Sequence, residues 1–179
     1  MRIMVICAHP RLEESRANRV LSLALKGRAD IFFRDLYREY PDWSIRAERE
    51  RALLLEHDRI VLQFPFYWYS CPPLLKKWFD EVLISGWAYG PGGDHLKGKE
   101  FMVATTAGGT VSSYRSGGDN LYTVDELLRP IERTLTRCGG IFLPSFVVYD
   151  ANRGTEAYLA QEAKRYANYI REPARVLVH

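Results

Sequence analysis

The chain has 179 residues, with 25 lysines and arginines against 22 aspartates and glutamates, a net charge of +3, 47% hydrophobic and 26% charged residues. That apolar share builds the core of one domain and excludes intrinsic disorder, and no apolar run nears the roughly 20 residues of a membrane helix. The slight basic excess is spread along the chain, which argues against nucleic-acid binding.

In chain order, apolar runs at 3–8, 30–33, 60–64 and 101–105, and a fifth from 141–143 on to 147–149, read as buried strands. Helical spacing fills the gaps. Ala17, Val20, Leu21 and Ala24 come first, then an Ala/Leu cluster from Ala47 to Leu55, then Leu75, Trp78, Phe79 and Val82. Leu127, Ile131, Leu135 and Cys138 follow, and a last helix carries Leu159, Ala163, Tyr166 and Ile170. This alternation predicts an α/β fold with a doubly wound, five-stranded parallel sheet in a single domain over 1–179. Thr123-Val124-Asp125-Glu126 has capping-box spacing, Cys138-Gly139-Gly140 supplies a glycine stop, and Pro130 predicts a bend or restart. The glycine-rich stretch 84–99 predicts a long surface excursion.

Ligands of an open parallel sheet bind at the carboxyl ends of its strands, so the loops after strands one, three and four are the ones to inspect. After strand one, His9 and Ser15-Arg16-Ala17-Asn18 place a hydroxyl, a cation and an amide at a helix start, a setting for an anion. Ser15 could equally be only a helix cap. After strand three comes Phe66-Tyr67-Trp68-Tyr69, flanked by prolines; four adjacent aromatics cannot all be core, which suggests a flat aromatic ligand or a dimer interface. After strand four, Thr105-Thr106-Ala107-Gly108-Gly109 supplies hydroxyls and a close backbone approach. An anion site, an aromatic platform and a close-approach loop on one sheet edge are what flavin mononucleotide, FMN, requires.

Other chemistries are less well supported. Residues 93–99 imitate a phosphate loop, but Glu100 stands where Ser or Thr should bind magnesium and a strand follows instead of a helix. No G-x-G-x-x-G follows the first strand, and the four histidines share no metal-ligand spacing, so no metal site is expected. Cys7, Cys71 and Cys138 are far apart and odd in number, and Met1-Arg2-Ile3 leads straight into a strand; neither a disulfide framework nor a secretory leader is expected, and a cytoplasmic address is.

The segments Ala8-His9-Pro10, Ser15-Arg16-Ala17-Asn18, Asp35-Leu36-Tyr37, Gln63-Phe64-Pro65-Phe66-Tyr67-Trp68-Tyr69-Ser70-Cys71-Pro72, Gly86-Trp87-Ala88-Tyr89-Gly90 and Thr105-Thr106 together resemble the flavodoxin-like NAD(P)H:quinone oxidoreductases. Within that family the resemblance is to the ancillary proteins of glutathione-regulated potassium-efflux systems and to general stress proteins. It implies a phosphate at His9, Ser15, Arg16, Ala17 and Asn18, an isoalloxazine over Phe66, Tyr67, Trp68 and Tyr69, and a polar flavin edge at Thr105, Thr106, Ala107 and Gly108. Ala107 departs from the family's pattern of two threonines followed by glycine, and Tyr114 is the candidate for steadying charge at the flavin edge. It further implies NAD(P)H as co-substrate and a quinone or similar acceptor. A site that holds one flat partner at a time predicts ping-pong kinetics, with the reduced ring stabilised by backbone N–H groups near Tyr67–Tyr69 and Thr106–Gly108. The aromatic surface of Phe66, Tyr67, Trp68, Tyr69, Trp87 and Tyr89 predicts a homodimer through the aromatic loop and the helix bearing Trp78. The alternative function is a regulatory subunit on the cytoplasmic face of a potassium-efflux transporter, peripheral to the membrane through that partner.

Overall fold

The first four apolar runs each become a strand, and the fifth becomes two, in the computed structural model, which describes residues 1–173. The strands β1 (Ile3–Cys7), β2 (Ile31–Asp35), β3 (Arg59–Pro65), β4 (Glu100–Thr106), β5 (Ile141–Phe142) and β6 (Phe146–Val148) are all parallel, in the order β2-β1-β3-β4-β5, with β6 also paired to β4. β1 and β3 are buried along their whole length, which is why they read as continuous apolar runs and not as alternating ones.

The expected five-stranded parallel order is present, and the fifth run is divided into two short strands. β5 pairs with the start of β4 through Glu100↔Ile141 and Phe101↔Phe142, while β6 pairs with its end through Ala104↔Phe146. The register slips by one residue between them, and Pro144, with no N–H to give the ladder, lies in the interruption.

The helices are α1 (Arg16–Leu23), α2 (Leu36–Glu39), α3 (Ala47–Glu56), α4 (Pro73–Val82), α5 (Val124–Leu127), α6 (Arg129–Arg137) and α7 (Glu156–Tyr169). Pro130 does force a restart: α5 ends before it, and α6 takes it into its first turn, where a missing N–H costs no hydrogen bond. One core, around Ile3, Val5, Val61 and Ala104, lies under α1 and α7; the other, around Met4, Ile6, Leu62 and Val103, lies under α3, α4 and α6. Residues 84–99 form turns, as expected, but they are not wholly superficial. Ala88 and Leu96 are sealed into the second core.

Trp78 lies on α4, yet its ring is in that same core and forms no part of an outer face. Its indole N–H donates to Glu50 Oε2 at 3.0 Å. Fully buried Glu50 also accepts from the Tyr40 hydroxyl at 2.6 Å and from the Arg34 guanidinium. Arg34 reaches Glu39 at 3.2 Å as well, so β2, α2, α3 and α4 are tied through one buried carboxylate.

Candidate functional site

The carboxyl ends of β1, β3, β4 and β6 surround a cleft of about 450 Å³. His9, Ser15, Arg16, Ala17, Asn18, Phe66, Tyr67, Thr106 and Gly108 line it, so most of the residues singled out from sequence converge there.

The anion end is built at the start of α1. Ser15 caps the helix by accepting the Asn18 N–H at 3.1 Å, which leaves its own hydroxyl proton to donate and leaves the N–H groups of Arg16 and Ala17 without helical partners. The cap reading and the binding reading of Ser15 are therefore compatible. His9 Nδ1 accepts the Arg11 N–H at 3.0 Å, which puts the ring proton on Nε2. Burial, reinforced by the Arg11 charge, lowers the pKa of His9 below its usual value, so near neutral pH the ring is an uncharged donor. The Arg16 guanidinium is engaged elsewhere: it donates to the carbonyls of Asn152 at 2.8 Å and Gly154 at 2.9 Å. Arg16 thus serves the site through its backbone and by clamping the 152–154 loop. Glu14 is also on the wall, with its charge paired to Arg11 at 3.3 Å.

The two threonines have separate fates because successive residues of a strand face opposite sides of the sheet. Thr106 is on the α1 side and its Oγ1 accepts from Asn18 Nδ2 at 2.8 Å. Thr105 is on the other side, fully buried, donating to the Phe64 carbonyl at 2.9 Å. Thr105 is therefore withdrawn as a ligand contact. Ala107 is withdrawn too: it is fully buried and its N–H goes to Val148 O at 2.8 Å. Gly108 remains, and its lack of a side chain matters, since a Cβ there would lie 2.9 Å from Asn152 Nδ2.

The far end is the aromatic hairpin. Tyr67 and Ser70 exchange N–H···O bonds of 3.1 and 3.0 Å, and the turn between them holds Trp68 and Tyr69 at φ of 47° and 61°. Left-handed backbone costs a residue with a side chain roughly 1–2 kcal/mol, and such strain gathers at functional sites. Its result is Trp68 held 92% exposed at the tip, with Tyr67 and Tyr69 partly exposed beside it. Phe66 and Tyr67 belong to the cleft wall, whereas Trp68 and Tyr69 stand beyond it. The Tyr69 hydroxyl donates to Asn120 Oδ1 at 3.3 Å, which fastens the hairpin to the 109–122 loop. Tyr114 is behind the wall, its ring centroid 5.9 Å from both Phe66 and Tyr149. Burial, then Tyr69, raises its phenol pKa, so it stays protonated.

Of the backbone donors expected near the platform, those of Tyr67 and Ala107 are spent on Ser70 and Val148. Among the described residues, the N–H groups of Trp68, Tyr69 and Gly108 donate to no atom of the chain. Ala151 and Asn152 also line the cleft and were not anticipated. The signal was present: Asp150-Ala151-Asn152-Arg153-Gly154 is turn chemistry directly after a strand that ends on the same sheet edge. Cys7, the last residue of β1, has its thiol pushed up to about 12 by burial and the Asp35 charge, so it is no nucleophile.

Residues 1–170 match the family described as Flavodoxin-like fold. An "Uncharacterized NAD(P)H oxidoreductase YdeQ" of Bacillus subtilis is 46% identical over 95% of this chain and 86% of its own. The "Glutathione-regulated potassium-efflux system ancillary protein KefG" of Salmonella paratyphi B is 42% identical over 96% and 94%. Among solved structures, a protein described as a thermophilic tryptophan halogenase from "Streptomycin violaceusniger" has a TM-score of 0.93 at 48% identity over 95% and 99% of the two chains. General stress protein 14 of Treponema denticola, in complex with FMN, has a TM-score of 0.91 at 35% identity over 95% and 98%. An NADPH-quinone reductase from P. pentosaceus has a TM-score of 0.88 at 29% identity over 97% and 100%. The names on this one scaffold differ, so the reaction has to be argued from the cleft and not from the fold. With the family matched over nearly its full length and close relatives covered almost end to end, the chain belongs to the flavodoxin-like family.

Proposed function

We propose that this chain is an FMN-dependent NAD(P)H oxidoreductase that passes hydride equivalents to a quinone or related electrophile. One observation carries the reading: a single cleft has anion-seeking donors at one end and a strained aromatic hairpin at the other, matching the two ends of a flavin mononucleotide. The donor set fits. The N–H groups of Arg16 and Ala17, the Ser15 hydroxyl and the His9 Nε2–H would hold the phosphate, and one such end favours FMN over FAD. Bound there, the flavin supplies hydride chemistry that no side chain of the cleft provides.

The chain's own part is placement and charge. Phe66 and Tyr67, on the cleft wall, would hold the ring system, and the exposed Trp68 and Tyr69 would add aromatic surface beside it. The Trp68, Tyr69 and Gly108 amides and the Thr106 hydroxyl offer donors to negative charge at the ring's polar edge. Tyr114 braces Phe66 and adds a neutral phenol nearby. A flat pocket takes one flat partner at a time, so NAD(P)H and acceptor occupy it in turn and the kinetics are ping-pong. The relatives named as an NAD(P)H oxidoreductase and an NADPH-quinone reductase support the two substrates.

Titration with FMN should turn the protein yellow, NADPH without oxygen should bleach it in a single turnover, and a quinone should restore the colour. A chain that takes up no FMN overturns the flavin reading. Intersecting double-reciprocal plots overturn the shared pocket. The assembly that follows is a homodimer through the exposed Tyr67, Trp68, Tyr69 and Tyr89, with a cytoplasmic address; a monomer mass by light scattering at micromolar concentration would refute the dimer.

The likeness to a potassium-efflux ancillary protein supports a second reading, in which the chain docks on the cytoplasmic face of such a transporter. No helix among the described residues is long and apolar enough to cross a membrane, so attachment would run through that partner. Co-purification of the two tests it, and a chain that never co-purifies with the transporter sinks it.

A further inference from the structure

Beneath the cleft lies a neutral hydrogen-bond network whose direction is set at one atom. Gln63 on β3 is fully buried, with Nε2 3.1 Å from the backbone carbonyl of Asn18 and 3.0 Å from Ser22 Oγ. A carbonyl only accepts, so the Gln63 atom facing it is the nitrogen, and the atom 3.1 Å from the Tyr166 hydroxyl is Oε1. Tyr166 must therefore donate. Ser22 sends its own proton to the same Asn18 carbonyl at 2.9 Å, which leaves it to accept from Gln63. The two Nε2 protons are shared among three acceptors, the third being Asn18 Oδ1 at 3.3 Å; an N–H group facing that oxygen turns Asn18 Nδ2 toward Thr106 Oγ1 at 2.8 Å.

The chain of donation runs from α7 through β3 and α1 to the cleft wall and ends at Thr106. Its oxygen already accepts, and among the described residues its proton has no acceptor within the chain. A threonine hydroxyl has one proton and two lone pairs; the bond from Asn18 takes one lone pair and turns the proton away from Asn18, toward the cleft. We propose that Gln63 and Tyr166 are positioning residues that, through Asn18, hold the Thr106 hydroxyl with its proton aimed at an acceptor atom of the bound flavin. The inference rests on the FMN reading above and extends it to a tyrosine on α7 outside the cleft wall. A donor pre-aimed in this way needs no reorientation when the ligand arrives.

The test is a double-mutant cycle read as FMN affinity, with FMN titrated into flavin-free protein and followed by quenching of its fluorescence. Gln63→Met should raise the Kd about tenfold when Thr106 is present, the scale of one hydrogen bond, and less than about twofold in the Thr106→Val background. Thr106→Ser, which keeps the hydroxyl, should stay within about twofold of the parent. An equal loss in both backgrounds would show that Gln63 merely supports the fold and would overturn the proposal, as would no loss in either. Should Gln63→Met fail to fold, Tyr166→Phe removes a single hydroxyl and is read by the same cycle, with about a threefold effect expected only when Thr106 is present. If the unmodified chain binds no FMN, the flavin reading itself has failed, an outcome visible before any variant is made.

Discussion

Among the described residues, two of the buried polar networks lie on opposite faces of the sheet and are built on opposite plans. On the α3/α4 side, Arg34, Glu50, Tyr40 and Trp78 form a charged knot in which both carboxylate oxygens of Glu50 are taken. On the α1/α7 side, Tyr166, Gln63, Ser22, Asn18 and Thr106 form an uncharged chain that ends with an unspent proton at a cleft. The first network is closed to solvent, its one unpaired donor, Arg34 Nε, being buried, so its role is to order β2, α2, α3 and α4 against one another. The open one gives up a fully satisfied terminus and gains a donor aimed at the cleft. A buried polar network is therefore a candidate for function only where its unspent group reaches a cleft.

The largest effect should come from breaking the closed knot. Glu50→Ala leaves Arg34 buried, charged and already short of a partner at Nε, and should cost about 3–5 kcal/mol in chemical denaturation. FMN affinity of the molecules that remain folded should not change, and a parallel loss of affinity would show that the networks are coupled. At the open chain, Asn18→Ala should weaken FMN binding by roughly 1–2 kcal/mol, and Ser15→Ala by a similar amount together with about 1 kcal/mol of fold stability from the lost cap. Unchanged affinity in Ser15→Ala would move the phosphate away from the start of α1, and unchanged affinity in Asn18→Ala would remove Thr106 from the contacts of the flavin.

Smaller effects are expected away from both networks. Trp68→Ala removes an exposed ring that the core of the single chain does not use, so it should slow both reduction by NADPH and reoxidation by quinone about two- to tenfold. Slowing of one half-reaction alone would contradict a shared pocket. Tyr114→Phe keeps the ring packing and should change flavin reduction by less than about threefold, a weak hydrogen bond's worth.

The smallest effect concerns Asp35, whose carboxyl accepts the Tyr37 and Arg38 N–H groups that open α2. Burial raises its pKa above the ordinary 3.8 in spite of those bonds. The folded chain then holds this proton more tightly than the unfolded one, so the ionised carboxylate lowers stability above the raised pKa, and the penalty fades as pH falls toward the unfolded value. Asp35→Asn keeps a capping oxygen without the charge and should raise the melting temperature slightly at pH 7, with the gain vanishing near pH 4. A gain that persisted at pH 4 would assign the effect to something other than the charge.

Local sequence was sufficient for the fold class and for most of the cleft. Continuous apolar runs bounded by helical spacing can be satisfied only by strands covered on both faces, and the helix start at Ser15, the restart at Pro130 and the aromatic run at 66–69 each announce themselves within a few residues. Tertiary structure decided what no local pattern states. Strand alternation sent Thr106 to the cleft and Thr105 into the core, and a one-residue slip beside Pro144 divided the fifth strand. The return of β6 beside β4 brought Asn152 to the wall, and the Arg16 guanidinium went to the 152–154 loop instead of standing free. Which way a hydroxyl donates was settled by a backbone carbonyl of residue 18 acting on a side chain of residue 63. These outcomes depend on partners tens of residues apart, and hydrogen-bond direction becomes determinate only when every group in the network is in place.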